Sequence, residues 1–215
     1  MILHDRKKVF IHIPKCGGMS VISQYYKEKY GDKWIQERGF MHTWDKGLQV
    51  ESRNGKTNAI THNLHADYQR IKPLYPDYQY FTQIRHPLTR WESIYKHLCD
   101  HKYIKNWTIE EWTMKAIPSL RIGSMFGCVE NVAGFESQLI ARIEAFAVMY
   151  KPSWIFYREP DVAVHKLEEG TLWNDLGLNF SHIHRSNKEV GEYDFKLVEE
   201  LVRQYYDKDW EKYGG

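Results

Sequence analysis

The sequence predicts an α/β fold: a central, mainly parallel sheet flanked by helices, in a single domain spanning residues 1–215. Three observations predict it. Short runs rich in β-branched and aromatic residues alternate with segments of helical period, the pattern of βαβ units. With 215 residues, 42% hydrophobic and 27% charged, the chain has the length and balance to bury one core. The polar residues that interrupt the pattern fall just past the strand runs, where ligands sit in parallel sheets.

Four runs read as buried strands: "KKVFIHI" (7–13), "TNAIT" (57–61), "YQYFTQI" (78–84) and "SWIFYR" (153–158), each bounded by turn formers. A helix begins after Gly18, and a second covers about Leu88 to Cys99. "TIEEWTMKAI" opens with Thr108 as its cap. "GFESQLIARIEAFAVMY" (134–150) is apolar on one face. The final helix, 193–214, puts Phe195, Val198, Val202 and Tyr205 on one stripe and stops at glycine. The polar segment 39–57 reads as a long loop.

A net charge of +2 and a pI near 8.3 are too mild for a nucleic-acid-binding face, so a basic site must be local and no nucleic acid partner is expected. No apolar run reaches the length of a membrane span, and "MILHDRKKVFIHI" lacks the apolar core of a signal peptide. The expectation is a soluble, cytoplasmic protein with no membrane partner. Cys16, Cys99 and Cys128 form no CxxC pair, which argues against a disulfide framework and a zinc site. No metal is expected. His62 and His65 lack further ligands at metal-binding spacing.

Three segments carry chemistry. "PKCGGMS" ends the first strand run and opens a helix. Gly17 and Gly18 let the backbone approach a ligand, the helix start offers N–H groups to an anion, Lys15 adds charge and Ser20 a hydroxyl. A Walker loop has its lysine after the glycines; here it precedes them, which disfavours an ordinary ATP or GTP site. "IRHPLTRWESIY" (84–95) follows the third strand run, with Arg85 as a charged fork and Ser93 eight residues on. "THNLHADYQRI" (61–71) follows the second run and contains His65. Each alone has a plain structural account: a turn with a solvated lysine, a paired arginine, a surface histidine.

Together the segments resemble the PAPS-dependent carbohydrate sulfotransferase superfamily, where PAPS is 3′-phosphoadenylyl sulfate. "FIHIPKCGGMS" resembles that family's 5′-phosphosulfate loop, commonly FIHIPKTGGTS. "IRHP…S" resembles its 3′-phosphate element, although the family usually has Arg-Asp-Pro where this chain has His86. "LHAD" resembles the stretch of heparan sulfate 6-O-sulfotransferases that carries the proposed catalytic histidine. "WIFYRE…DLGL…HIHRSNK…YYDKDWEKYG" is similar to the closing part of the superfamily. The resemblance, to heparan sulfate 2-O/6-O-sulfotransferase-like catalytic domains, runs through nearly the whole chain, with 99–150 the least diagnostic part. It implies a P-loop-like three-layer fold and sulfuryl transfer from PAPS to a hydroxyl of a carbohydrate or other acceptor. The nucleotide product would be 3′-phosphoadenosine 5′-phosphate.

On that resemblance His65 is the general base and Lys15 stabilises charge on the oxygen leaving sulfur. Lys15, Cys16, Gly17, Gly18, Met19 and Ser20 hold the 5′-phosphate, and Arg85 with Ser93 holds the 3′-phosphate. Met19 stands where a hydroxyl residue is common, and Cys16 where threonine is common. The Cys16 thiol is then either activated by a cationic site or buried and inert. Arg70, Lys72, Lys96, His97, His101, Lys102 and Lys105 form either a basic rim for an anionic glycan or an ordinary solvated surface. Trp44, Trp91 and Trp107 either stack on sugars or pack in the core, the core being the expectation for Trp91. Two other readings compete: a small-molecule kinase with an atypical phosphate loop, and a non-catalytic nucleotide-binding module of the same fold. With no secretory or membrane segment seen in it, the sequence fits a bacterial or viral enzyme or an excised catalytic domain.

Overall fold

The computed structural model describes residues 2–30, 49–51, 57–59, 68, 72–130, 147–179 and 190–214. In chain order the elements are β1 (Ile2–Leu3), β2 (Lys8–Ile11), α1 (Gly18–Tyr30), β3 (Gln49–Glu51), β4 (Thr57–Ala59), β5 (Gln79–Ile84), α2 (Pro87–Asp100), α3 (Ile109–Arg121), β6 (Val162–Lys166), α4 (Leu172–Leu176), α5 (Phe195–Tyr205) and α6 (Asp207–Tyr213). They fall into two compact units, Met1–Ile84 with Ile155–His184 and Arg85–Trp154 with Arg185–Gly215. Among the described residues, no helix is long and apolar enough to cross a membrane.

The first unit holds a four-stranded sheet in the order β1-β2-β5-β6. Its three-strand core is parallel, with Val9 opposite Tyr80 and Tyr80 opposite Val162. The predicted α/β class with a mainly parallel sheet is what the chain forms. β5 lies in the middle, and every residue from Tyr80 to Ile84 is buried. That explains why its sequence is a continuous run rather than an alternation. β1 adds antiparallel at the edge through a turn at His4–Arg6, closed by Lys7 in the left-handed region (φ 49°). Arg6 pins α4 to this edge by donating to the carbonyls of Leu176 (2.5 Å) and Gly177 (2.8 Å).

Two strand expectations change. "SWIFYR" is not a strand: Ser153–Phe156 is a 3-10 turn. The physical reason lies far along the chain, where the Asp209 carboxylate accepts from the N–H groups of Ser153 (2.6 Å) and Trp154 (2.8 Å) and so caps a helical turn. The strand is β6, "VAVHK", a few residues later. "TNAIT" does contain a strand, β4, but it pairs antiparallel with β3 in a separate two-stranded sheet. β3 itself falls inside the segment expected to be a loop.

The second unit is helical. α2 starts with Pro87 at its first turn, where a missing N–H costs nothing. α3 begins with the expected Thr108 cap, made reciprocal by Glu111 as a capping box. Trp91 and Trp112 stack at 4.3 Å in the middle of the core, and their ring N–H groups donate to Thr113 Oγ1 (2.9 Å) and the Cys128 carbonyl (3.0 Å). Trp91 is thus a core residue, as expected. Most of the helix expected over 134–150 lies outside the described residues; 147–150 is helical.

The last helix is two. α5 ends at Tyr205 and α6 restarts at Asp207, closing on Gly214 in the left-handed region. Val198 and Val202 are buried as the stripe requires, but Phe195 is exposed and Tyr206 takes the core position. Arg90 anchors this end from α2. It donates to the carbonyls of Met149 and Lys151 at 3.0 Å and faces Asp209 at 3.6 Å.

Candidate functional site

In the first unit, β2 delivers the chain into the segment Pro14–Gly17, which turns into the 13-residue α1. Cys16 N–H bonds back to the Ile13 carbonyl (3.3 Å) and Ser20 N–H to the Gly17 carbonyl (3.0 Å), so the turn is compact. Two residues adopt the left-handed region, Lys15 (φ 66°) and Gly17 (φ 79°). For lysine this is uncommon, and such backbone is held only where its surroundings over-determine it.

The glycines are required for space. A Cβ on Gly17 would lie 2.8 Å from Gln83 Nε2 and 2.9 Å from Leu167 Cδ1. A Cβ on Gly18 would lie 2.6 Å from His12 Nε2 and closer still to its Cδ2. The loop is therefore pressed on three sides by the residue after β2, by β5 and by the residue after β6. Nothing in the first turn of α1 is acidic, so its N–H groups and dipole present positive potential unopposed by a carboxylate there. Lys15 and Met19 are half-buried, while Cys16 and Ser20 are buried. At 1% exposure, the Cys16 thiol takes the buried state of the two open to it.

Sequence reasoning missed Gln83. It is a buried polar residue in the middle strand, and its Nε2 donates to the Cys16 carbonyl at 2.8 Å. A glutamine inside a run read as a buried strand was the available signal.

The second unit holds the other element. Arg85 is the first residue after β5, half-buried, and its Nε donates to Thr89 Oγ1 at 3.1 Å. That hydroxyl in turn donates to the His86 carbonyl at 3.1 Å. The tie at Nε orients the guanidinium while its terminal fork is the part suited to phosphate. Ser93 is half-buried on α2, four residues beyond Thr89 and hence on the same helical face. Thr89 was the second residue missed. His86 meets Trp210 and Tyr213 edge-on at 4.9 and 5.1 Å. It serves the aromatic packing of the second unit.

His65 and His62 lie outside the described residues. The sheet no longer supplies an argument for His65, because β4 is not a strand of the parallel sheet. Its assignment rests on the LHAD resemblance alone. Of the basic residues considered for a glycan rim, Lys72 is engaged with Asp161 at 2.7 Å and lies over the Tyr80 ring at 4.7 Å. Among the described residues, no group of three or more His, Cys, Asp or Glu is placed to hold a metal ion.

No protein-family model and no curated protein matches the chain. Among solved structures it is similar to a sulfotransferase from Alicyclobacillus acidocaldarius, with 16% identity and a TM-score of 0.37 over 95% of this chain and 85% of that one.

Proposed function

We propose that this chain is a PAPS-dependent sulfotransferase that transfers a sulfuryl group to a hydroxyl, with a carbohydrate as the acceptor class. The observation that carries the reading is the loop after β2. A lysine in the left-handed region precedes two glycines that tolerate no side chain, and all three lead into a helix start free of acidic residues. That donor set fits a phosphate bound by backbone N–H groups. The lysine-first order fits the phosphosulfate loop better than a Walker loop.

PAPS supplies an activated sulfuryl group on a phosphate when bound. Gly17, Gly18 and Met19 would hold the 5′-phosphate through the backbone, with Ser20 adding its hydroxyl and Cys16 contributing main chain only. Lys15 would neutralise the charge that develops on the oxygen released from sulfur, an interaction that strengthens toward the transition state. Arg85, oriented by Thr89, and Ser93 would bind the 3′-phosphate and so distinguish this donor from ATP. His65 would accept the proton of the attacking hydroxyl, a role suited to a group titrating near neutrality.

Incubation with PAPS and a panel of glycans, read by mass spectrometry, tests the reading. The expected result is gain of a sulfuryl group on a glycan together with release of 3′-phosphoadenosine 5′-phosphate. His65→Ala should lower that rate by roughly 100-fold or more and leave nucleotide affinity nearly intact. Phosphorylation of an acceptor from ATP, with no product from PAPS, would overturn the proposal.

A further inference from the structure

Gln83 occupies an unusual place for a glutamine. It is 1% exposed, sits in the middle strand of the parallel sheet, and spends its amide donor on one main-chain carbonyl of the phosphate loop. Around it every β5 residue from Tyr80 onward is buried. A buried amide carries a desolvation cost, so its hydrogen bond must do something an apolar residue of the same size cannot.

What it does follows from peptide geometry. In a planar trans peptide the carbonyl and the following N–H point in opposite directions. Holding the Cys16 carbonyl toward Gln83 therefore aims the Gly17 N–H away from it. Gly17 has φ 79° and no Cβ, so it resists a turn-over of the Cys16–Gly17 peptide less than any other residue would. A turn-over would point a carbonyl, the wrong sign of dipole, where the N–H had been. Gln83 bonds that carbonyl through its side-chain amide.

We infer that Gln83 is a positioning residue: its amide locks the Cys16–Gly17 peptide so that the Gly17 N–H is presented to the anion bound by the loop. This rests on the loop being the 5′-phosphate site proposed above. Gln83 itself touches no ligand in this account; it acts through the main chain.

The test is titration of 3′-phosphoadenosine 5′-phosphate into the wild type, Gln83→Met and Gln83→Glu, across pH 5 to 8. Gln83→Met keeps the bulk and loses the donor, and its affinity should fall at least tenfold. Gln83→Glu presents an ionised carboxylate to a carbonyl near neutrality and should bind worse still. Once protonated, that carboxyl can donate to Cys16 again. The affinity of Gln83→Glu relative to wild type at the same pH should thus recover as pH falls, and Gln83→Met should show no such recovery. A purely structural role would make the folded fraction of Gln83→Glu, read by circular dichroism at each pH, follow the pH; here the folded fraction stays level and the affinity alone recovers. If Gln83→Met does not fold, the acid recovery of Gln83→Glu affinity at constant folded fraction decides alone. Wild-type binding with both variants equal to it at every pH would overturn the role of Gln83 and leave the site standing. No binding by the wild type would overturn the site, and the role of Gln83 with it.

Discussion

Gly18→Ala is expected to destabilise the first unit, although a helical Gly→Ala change ordinarily stabilises by roughly 0.5–1 kcal/mol. Gly18 opens α1 with an ordinary backbone φ, so strain is not the reason. The obstacle is the His12 ring, with which a Cβ would collide at 2.6 Å from Nε2 and 3.0 Å from Cγ. His12 is buried, and a buried ring cannot swing aside as an exposed side-chain tip can. Overpacking of this kind costs about 1–3 kcal/mol, and after the propensity gain a net loss of up to about 2.5 kcal/mol remains, about 1 kcal/mol at mid-range. Gly170→Ala is the informative comparison: φ is 68° with nothing within 4 Å, so its loss comes from backbone strain alone. Urea unfolding followed by circular dichroism should show both losses as a lower midpoint with an unchanged slope. Only Gly18→Ala should also weaken 3′-phosphoadenosine 5′-phosphate binding, because the shift propagates to the start of α1. A Gly18→Ala protein as stable as wild type would refute the steric account of the loop.

In the second unit, Arg90→Met should cost about 3–5 kcal/mol because it strands the carboxylate of Asp209 in the core; the two side chains are 1% and 4% exposed. Burial holds the Asp209 carboxyl above its ordinary range, with Arg90 and the N–H groups of Ser153 and Trp154 pulling the other way, so the variant's loss should shrink in acid, as guanidinium titrations at two pH values would reveal. His165 gives a stability slope near neutrality: burial lowers its proton affinity, against the opposing charges of Asp175 and Glu169. The unfolded chain therefore binds that proton first, and stability present above pH 6.5, the ordinary histidine value, falls as pH drops below it. His165→Gln should flatten this part of the profile; an unchanged slope would show that another group sets it.

The parallel core was legible because β2 and β5 are buried on both faces and so are written as short β-branched and aromatic runs without charged residues alternating inside them. Thr108 was legible as a cap because a capping box is encoded within four consecutive residues. What could not be read depends on partners remote in sequence. Ser153–Phe156 has strand composition, yet two hydrogen bonds that its N–H groups donate to Asp209 fold it into a turn and leave the strand to the shorter, less aromatic run at Val162–Lys166. β4 has the right residues for the main sheet but pairs with its neighbour β3, a choice that single-strand patterns do not contain. At the site, Lys15, Gly17 and Gly18 were evident from local order. Gln83 and Thr89 were not, because each acts on a group that only the fold brings to it, or on a hydroxyl whose bonds the sequence does not display.

Isothermal titration calorimetry of the wild type with 3′-phosphoadenosine 5′-phosphate and with AMP tests the central claim most directly. The two ligands share the 5′-phosphate that the loop after β2 would hold and differ in the 3′-phosphate assigned to Arg85 and Ser93. A charge-assisted contact is worth about 1.5–3 kcal/mol, so the bisphosphate should bind roughly 10- to 150-fold more tightly. Arg85→Ala should remove most of the difference. Equal affinity of the wild type for both ligands would contradict the assignment of PAPS as the donor.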